Sequence, residues 1–278
     1  MKIVLPVLAS IAIAGGACRT GVNYMSGIGP RYTGGVTPVV GDDGATPPLR
    51  LVTFNIQYAR RIDSAIAVLR SSEPLLHADI IALQEMDAPG TSRIADALGM
   101  SYVYYPATVH PATHRDFGNA ILSRWPIRDD QKIMLPHPDR FEKTQRIATA
   151  ATILVGGQEV RVYSVHLGTV IGVGPGGRRE QVHAVLDDAA RYPRVIIGGD
   201  MNSHGIGDEF RAAGYGWPTE HNPHTVKIWN RDHIFVRGLA LADSAGTGVV
   251  RETRHASDHR PVWAILSLVP PEHSHSPQ

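Results

Sequence analysis

The stretch VIIGGDMN, residues 195–202, decides how this sequence is interpreted. Its three branched apolar residues are typical of a buried strand, and its two glycines leave room for a ligand to approach the backbone. Asp200 and Asn202 follow at once, and two residues apart on extended chain they project to one face about 6–7 Å apart. We therefore expect a strand end that presents a carboxylate and an amide to a shared ligand. A simple turn is the alternative interpretation of the same residues.

Polar residues stand at the ends of other apolar runs in the same way. In strand-rich enzymes the loops at strand ends converge on a site, so such residues are candidates for chemistry. Taken singly, each has an ordinary alternative as a turn former, a solvated strand end or a structural imidazole. The candidates are Asn55, Glu85, Asn119, His166, Asp232, Asp258 and His259.

Short apolar runs separated by turn residues predict a strand-rich domain with a few helices. The expected strands are 49–55, 80–84, 102–105, 118–123, 147–155, 159–166, 195–199, 233–236 and 262–268. The expected helices are 63–71, 91–98 and 178–190. This pattern excludes a helical bundle and favours α/β or α+β packing in layers.

Composition limits the possible partners and metals. The 278 residues include 27 Lys plus Arg and 26 Asp plus Glu, so the net charge of +1 neither demands nor excludes nucleic acid. Because Cys18 is the sole cysteine, the chain can form no internal disulfide and no thiolate zinc cluster. A bound metal would therefore be held by oxygen or imidazole.

The first residues predict export. Residues 1–18 combine Lys2, an apolar stretch too short to span a bilayer, and small residues before Cys18, which resembles a bacterial lipoprotein signal. Lipidation of Cys18 would anchor the chain to a membrane of the cell envelope. Ordinary cleavage to a periplasmic or secreted protein, or a retained anchor, are the alternatives.

The remaining boundaries follow from composition. Residues 19–48 hold seven Gly and four Pro, so they are expected to form a flexible linker. Residues 49–270 are then expected to form the folded domain that carries every candidate residue, and residues 271–278 are expected to form a disordered tail.

The candidate residues supply hard oxygen donors and imidazoles. Carboxylate and amide oxygens suit Mg²⁺, Mn²⁺ or Ca²⁺, whereas imidazole-rich sets suit zinc. Metal-assisted attack of water on a phosphate ester uses this collection most naturally, because the phosphoryl oxygens need charge stabilisation and the water needs a base.

In order along the chain, the candidates resemble the endonuclease/exonuclease/phosphatase superfamily of DNase I-like phosphohydrolases. The matching motifs are residues 53–56 (TFNI), 84–85 (QE), 118–123 (GNAILS), 166–167 (HL), 199–202 (GDMN), Asp232 and 257–262 (SDHRPV). The resemblance implies an α+β fold, a four-layer α/β/β/α sandwich with two sheets face to face. It also implies a divalent-cation site at one edge.

Carried over by position, the resemblance assigns the metal side of this site. It implies that Glu85 is the principal Mg²⁺ ligand and that Asn55 and Asp258 complete or support the shell. Asn119 and Asn202 would bind phosphate oxygens.

The resemblance also assigns the acid and base groups. Asp200 would position or activate the attacking water, and His166 would stabilise developing charge or protonate the leaving oxygen. His259 would be a general base or a phosphate binder, and Asp232 would orient an imidazole. How these roles divide stays open.

Two further residues have weaker assignments. Arg178 follows a Gly-rich loop at a helix start, where its guanidinium would bind a phosphate group. That the loop is simply flexible and solvated is an equally good interpretation. Asp116 would partner His166, with surface charge as the commoner alternative.

The sequence thus predicts an exported, Mg²⁺-dependent phosphohydrolase that cleaves phosphodiesters. Nucleic acid and a phospholipid or sphingomyelin-type headgroup are competing substrates. A phosphomonoesterase acting on a sugar or inositol phosphate, and a non-catalytic surface module on the same fold, are the alternatives. The sequence predicts no protein partner.

Overall fold

A computed structural model describes residues 21–35, 48–243 and 246–268. Within these ranges the chain forms fourteen strands and four α-helices. The strands are β1 (Val22–Asn23), β2 (Tyr32–Gly34), β3 (Leu49–Asn55), β4 (Ile80–Met86), β5 (Ser101–Val109), β6 (Asp116–Ser123), β7 (Ile127–Met134), β8 (Ile147–Val155), β9 (Gln158–His166), β10 (Val195–Asp200), β11 (Asp232–Arg237), β12 (Leu239–Leu241), β13 (Thr247–Val249) and β14 (Val262–Leu268). The helices are α1 (Ile62–Ser71), α2 (Ala88–Leu98), α3 (Gly174–Ala189) and α4 (Gly207–Ala212).

The strands form two mixed sheets. The nine-stranded sheet has the order β1-β5-β6-β4-β3-β14-β12, with β13 paired to β14 and β2 paired to β5. The five-stranded sheet has the order β11-β10-β9-β8-β7. In the first sheet β3 and β4 are parallel, and in the second β9 and β10 are parallel. The carboxyl ends of these parallel pairs carry the candidate residues.

Alternation along the strands builds the layers. In β3, Leu51 packs into the core between the sheets, whereas Val52 packs with α1 and α2. In β10, Ile196 packs into the same central core, whereas Ile197 packs with α3 and α4. Because successive strand residues point to opposite faces, both sheets are apolar on both faces. The result is the predicted α+β sandwich of four layers, α/β/β/α.

Helix starts differ from the sequence expectation for an identifiable reason. Helix α2 begins at Ala88, although Pro89 and Gly90 suggest a turn, because Asp87 caps it by accepting a hydrogen bond from the Gly90 N–H. Helix α3 also begins earlier than expected, within the Gly-rich loop. Strand β7 was not predicted because it is a largely polar edge strand with only two buried residues.

The expected flexible linker is wrong for residues 21–35. Strands β1 and β2 pair antiparallel with β5 and extend the edge of the nine-stranded sheet. The Tyr24 hydroxyl donates to Asp116, and the Lys132 ammonium donates to the Tyr24 carbonyl at 2.6 Å. Backbone pairing at a sheet edge needs little apolar burial, so a Gly- and Pro-rich composition does not prevent it.

Several sequence expectations lie outside the described residues. These are the export signal with Cys18, linker residues 19–20 and 36–47, and the tail over 271–278. Among the residues that are described, no helix combines the length and apolar character needed to cross a membrane.

Candidate active site

Three candidate residues lie side by side at one edge of the five-stranded sheet. Asp200 ends β10, and the strand register places it opposite His166 on β9 and opposite Asp232 on β11. All three side chains are buried. Regular strand pairing alone therefore brings together two carboxylates and an imidazole from distant parts of the sequence.

The nine-stranded sheet supplies the facing side of the site. The Asn55 amide donates at 3.1 Å both to Glu85 Oε1 and to Asp200 Oδ2, so it links carboxylates from the two sheets. The Asn55 oxygen accepts from the Gln57 N–H at 3.0 Å, and Glu85 Oε2 accepts from the Tyr58 N–H at 3.0 Å. The turn after β3 thus orients both Asn55 and Glu85.

That turn has unusual backbone geometry. Gln57, Tyr58 and Ala59 have φ angles of 43°, 59° and 51°, and Glu85 has a φ of 58°. The left-handed region is disfavoured by about 1–2 kcal/mol for residues with a Cβ. Strain of this kind concentrates at functional sites, where the surrounding structure enforces it.

Asp200 stands at the centre of the group. It accepts a hydrogen bond from the Asn202 N–H at 2.8 Å, and Oδ2 lies 3.4 Å from Nε2 of His166 and 3.7 Å from Nε2 of His259. Burial raises the pKa of Asp200 above its usual range, against the lowering effect of His259. A carboxylate of raised basicity in this position suits the abstraction of a proton from water.

Asp232 orients His259. The His259 Nδ1–H donates to Asp232 at 2.9 Å, which turns Nε2 toward Asp200. Burial works against the charged form, but the carboxylates of Asp232 and Asp200 outweigh it and raise the pKa of His259 to about 10. His259 is therefore an imidazolium at neutral pH in this arrangement, which favours phosphate binding or proton donation over general-base catalysis.

His166 has the opposite protonation state. Burial, together with the charges of Arg146 and His259, holds the pKa of His166 well below its ordinary value. Nη1 of Arg146 lies 2.9 Å from Nδ1 and 3.0 Å from Nε2 of the ring. The site thus pairs a neutral imidazole with a charged one across Asp200.

Arg146 lies beside His166 in the candidate site, although it was not predicted from the sequence. It precedes β8, its guanidinium lies 5.0 Å from the centre of the Phe117 ring, and its buried Nε has no acceptor among the described residues. An unpartnered donor beside catalytic groups suits an anionic substrate oxygen. The signal was available, because Arg146 stands directly before an apolar run as Asp232 does.

The donor set fits a hard divalent cation. Burial raises the pKa of Glu85, against the lowering effects of the Asn55 hydrogen bond and of the charges on Arg146 and His259. Asp200, Asp232 and His259 place ligand atoms within 4.8 Å of one another, although His259 could bind a metal only as the neutral imidazole. Carboxylate oxygens in this number suit Mg²⁺ or Mn²⁺.

The other two predicted metal ligands are placed differently. Asp258 is exposed and is not in the buried acidic group, because the chain turns so that only its neighbour His259 points inward. Asn55 presents its NH₂ to the carboxylates, while its oxygen is used by Gln57. In this arrangement Asn55 links the carboxylates, and Glu85 is the best placed of the predicted ligands.

The predicted phosphate binders are engaged with backbone carbonyls. The Asn119 amide donates to the carbonyls of Ile147 and Ser164, and it is buried. Arg178 is also buried, and its guanidinium donates to the carbonyls of Gly168 and Met201. Asn119 therefore links β6 to β8 and β9, and Arg178 holds the loops that follow β9 and β10. The phosphate contacts predicted for both residues stay predictions.

Asn202 lies nearer the centre. Its amide donates to the Leu167 carbonyl at 2.9 Å, and its φ of 54° lets its N–H reach Asp200. Asp116, which the sequence suggested as a partner of His166, instead accepts a hydrogen bond from the Tyr24 hydroxyl.

Comparison with known protein families gives a match that extends across the candidate site. A model of the Endonuclease/Exonuclease/phosphatase family matches residues 52–259, which span the site from β3 to His259. The chain belongs to this family. Its members are generally metal-dependent hydrolases. Among curated proteins, none matches the sequence.

Solved structures of the family share the fold. The endonuclease/exonuclease/phosphatase from Beutenbergia cavernae has a TM-score of 0.65 at 21% identity, covering 80% of this chain and 72% of that one. TDP2 of D. rerio, solved with a single-strand DNA product, has a TM-score of 0.62 at 16% identity, covering 79% and 99%. The human nocturnin catalytic domain with bound sulfate has a TM-score of 0.62 at 18% identity, covering 86% and 98%.

Proposed function

We propose that this chain is an exported, Mg²⁺-dependent phosphohydrolase that cleaves phosphodiester bonds. One observation carries the proposal: a buried carboxylate, Asp200, lies between a neutral and a charged imidazole and shares the Asn55 amide with Glu85. A base, a proton donor and a metal-holding carboxylate thus surround one point.

The geometry supports a balanced hydrolysis step. Asp200 takes a proton from water, whose oxygen then forms a bond to phosphorus while the bond to the leaving oxygen breaks. The leaving oxygen takes a proton from the His259 imidazolium. Because Asp200 and His259 lie 3.7 Å apart, the proton on Asp200 returns to His259 and restores the starting state.

Positive groups stabilise the charge that develops on phosphorus. Arg146 presents an unpartnered donor, and His259 presents its Nε2–H, while neutral His166 donates or accepts a hydrogen bond. Glu85, with Asp200 nearby, would hold Mg²⁺, which supplies Lewis-acid polarisation of a phosphoryl oxygen when bound. Positioned donors of this kind are worth about 10²–10³ in rate each.

Two family relatives support the substrate chemistry. Nocturnin binds sulfate, a tetrahedral anion of the shape of phosphate, and TDP2 was solved with a single-strand DNA product. Both ligands carry the tetrahedral anionic group that Arg146 and His259 would receive here.

The cellular location is part of the proposal and rests on the sequence. Residues 1–18 resemble a lipoprotein signal, so we propose export and a lipid anchor on Cys18. The intact mass of the mature protein tests this directly. A chain that begins beyond Cys18, or an unmodified Cys18, would refute the anchor.

The activity is tested with a soluble aryl diester, bis(p-nitrophenyl) phosphate. We expect hydrolysis with Mg²⁺, its loss with chelator, and a fall of about 10²–10⁴-fold in kcat for Asp200→Asn. Asp208→Asn, which changes an exposed carboxylate on α4, is the matched control and leaves the rate unchanged. Chelator-resistant activity, or full activity in Asp200→Asn, would overturn the proposal.

A further inference from the structure

Large apolar side chains are exposed on loops around the candidate active site. We call the end of the sandwich that carries Asp200, His166 and His259 the catalytic edge. Phe141 is 61% exposed and Ile171 is 71% exposed, and they lie on neighbouring loops joined by the Arg140 N–H to the Gly172 carbonyl. Val170 is also exposed beside them. We call Phe141, Val170 and Ile171 the first tip.

A second apolar projection lies on the other side of His259. Residues Val226 and Trp229 form a tight turn through reciprocal backbone hydrogen bonds, and Val226 forms a β-bridge with His259. Ile228 is 68% exposed and Trp229 is 57% exposed. We call Ile228 and Trp229 the second tip.

Both tips are attached directly to catalytic segments. The first tip comes from the loop that leads to Arg146 and from the loop that follows His166. The second tip comes from the loop that leads into Asp232, the first residue of β11. Exposed apolar side chains in two loops beside an active site mark an interaction surface rather than random surface composition.

We propose that these two tips dock the catalytic edge onto a lipid bilayer, so that the substrate is the phosphodiester of a lipid headgroup. This inference rests on the proposed function and names its substrate class. Apolar tips gain free energy by entering the acyl boundary, and Trp229 suits the interface because its ring is apolar while its N–H is polar. Lys227 and Arg140 flank the tips and face anionic headgroups.

The start of the described chain supplies an independent observation. The Gly21 N–H donates to the Glu142 carbonyl at 2.8 Å, and the Asn23 side chain bonds to the Lys143 carbonyl and the Gln145 N–H. Residue 21 is therefore fixed beside the first tip.

This anchoring point determines where a lipid on Cys18 would hold the domain. Cys18 precedes Gly21 by three residues, and three residues of fully extended chain reach only about 10 Å. A lipid there would keep the catalytic edge, and not another face, against the bilayer.

A basic recess at the same edge completes the surface. It has a volume of about 430 Å³ and includes Arg60, Arg61, Arg93 and Arg115, with Arg93 paired to Asp63 and Arg115 paired to Asp87. This recess suits anionic headgroups, and it also suits the phosphates of single-stranded nucleic acid. Exposed Phe141, Ile171 and Trp229 favour the bilayer, because a phosphate backbone offers them no apolar environment.

The test uses the full chain with Cys18→Ser, so that an anchor does not mask the tips. Binding to vesicles of phosphatidylcholine and phosphatidylglycerol in equal parts is measured by co-sedimentation. We expect the Cys18→Ser chain to bind these vesicles. Adding Ile171→Ser or Trp229→Ser to that chain is expected to reduce binding about tenfold. Leu76→Ser, an exposed leucine between α1 and β4 at the opposite edge, is the matched control and has no effect.

A kinetic comparison separates docking from chemistry. We expect the rate on vesicle phospholipid relative to bis(p-nitrophenyl) phosphate to fall about tenfold in Ile171→Ser and in Trp229→Ser. Thermal unfolding followed by circular dichroism checks that both variants fold.

The possible failures are distinguishable. If the chain hydrolyses the soluble diester but does not bind vesicles, or if single-stranded DNA binds and is cleaved in preference to lipid, the docking inference is wrong and the proposed function stands. If it binds vesicles but hydrolyses no diester, the proposed function is wrong.

Discussion

The two sheets form their halves of the site in different ways. The five-stranded sheet brings His166, Asp200 and Asp232 together by ordinary strand register. Because these ionisable groups are buried, their loss of hydration opposes folding. The nine-stranded sheet positions Glu85 through a turn with left-handed backbone at Gln57 and its two successors. Burial of carboxylates affects both halves, since it raises the pKa of Glu85 as well as that of Asp200, whereas three successive left-handed residues occur only in the turn after β3 among the described residues.

After Asp200→Asn, the largest effect is expected where the two halves meet a substrate, at Arg146. Arg146→Met removes the guanidinium beside His166, and we expect kcat on the aryl diester to fall about 10²–10³-fold. Arg146→Lys keeps the charge but not the planar donor geometry, so it restores part of the rate. Equal rates for wild type and Arg146→Met would remove this residue from the charge-stabilising role.

The metal-holding side is tested by two carboxylates that the sequence treats alike. Glu85→Gln is expected to raise the Mg²⁺ concentration for half-maximal activity by at least about 10–100-fold, because Glu85 lies inside the buried site. Asp258→Asn is the matched control and shifts it little, because Asp258 is exposed. The Mg²⁺ dependence of diester hydrolysis measures both, and a larger shift for Asp258→Asn would reverse our assignment.

Burial on the five-stranded side predicts a pH-dependent stability. Burial lowers the pKa of His233 to about 4, and its Nδ1 accepts the Trp217 N–H, which requires the neutral ring. The unfolded chain takes up this proton near pH 6.5, so stability falls as the pH drops from 6.5 toward 4. We expect this group to contribute a loss of about 1 kcal/mol between pH 7 and 5.5.

Urea unfolding at the two pH values measures this loss. His233→Gln is expected to reduce the dependence by about this amount, since glutamine does not titrate, while buried His166 still contributes a loss of the same sign. An unchanged slope in His233→Gln would show that His233 is not the group responsible.

The smallest effect is expected from backbone strain on the nine-stranded side. Gln57→Gly removes a Cβ from a residue with a φ of 43°. The relief of about 1–2 kcal/mol exceeds the entropic penalty of about 0.5–1 kcal/mol for glycine, so the free energy of unfolding should rise by roughly 0.5 kcal/mol. A loss of more than roughly 1 kcal/mol would mean that the side chain, and not the backbone, stabilises this turn.

Sequence reasoning succeeded where geometry follows from periodicity. The strand ending at Asp200 and the strand ending at His166 were both expected, and pairing of regular strands then determines how close their last residues lie. Glu85 was expected directly after its strand, whereas the structure places it inside β4, where the pairing with β6 shifts between Leu83 and Met86.

The remaining parts depend on interactions that the local sequence does not show. Three successive left-handed residues after Asn55 carry no glycine to signal them, and the inward turn of His259 but not Asp258 depends on Asp232, far away in the chain. The pairing of residues 21–35 with β5 was missed because composition indicates only how much apolar surface a segment can bury. Pairing at a sheet edge depends on backbone hydrogen bonds instead. Arg146 was missed because the local sequence does not show that its guanidinium lies against His166.

In the proposed site, residues of both sheets bind one cation and one phosphoryl group. A crystal soaked with Mn²⁺ and inorganic phosphate tests this arrangement most directly through the anomalous signal of the metal. We predict the Mn²⁺ peak against the Glu85 carboxylate, with phosphate between Arg146 and His259. A peak at exposed Asp258 with no density at Glu85, or phosphate bound away from Asp200, would contradict it.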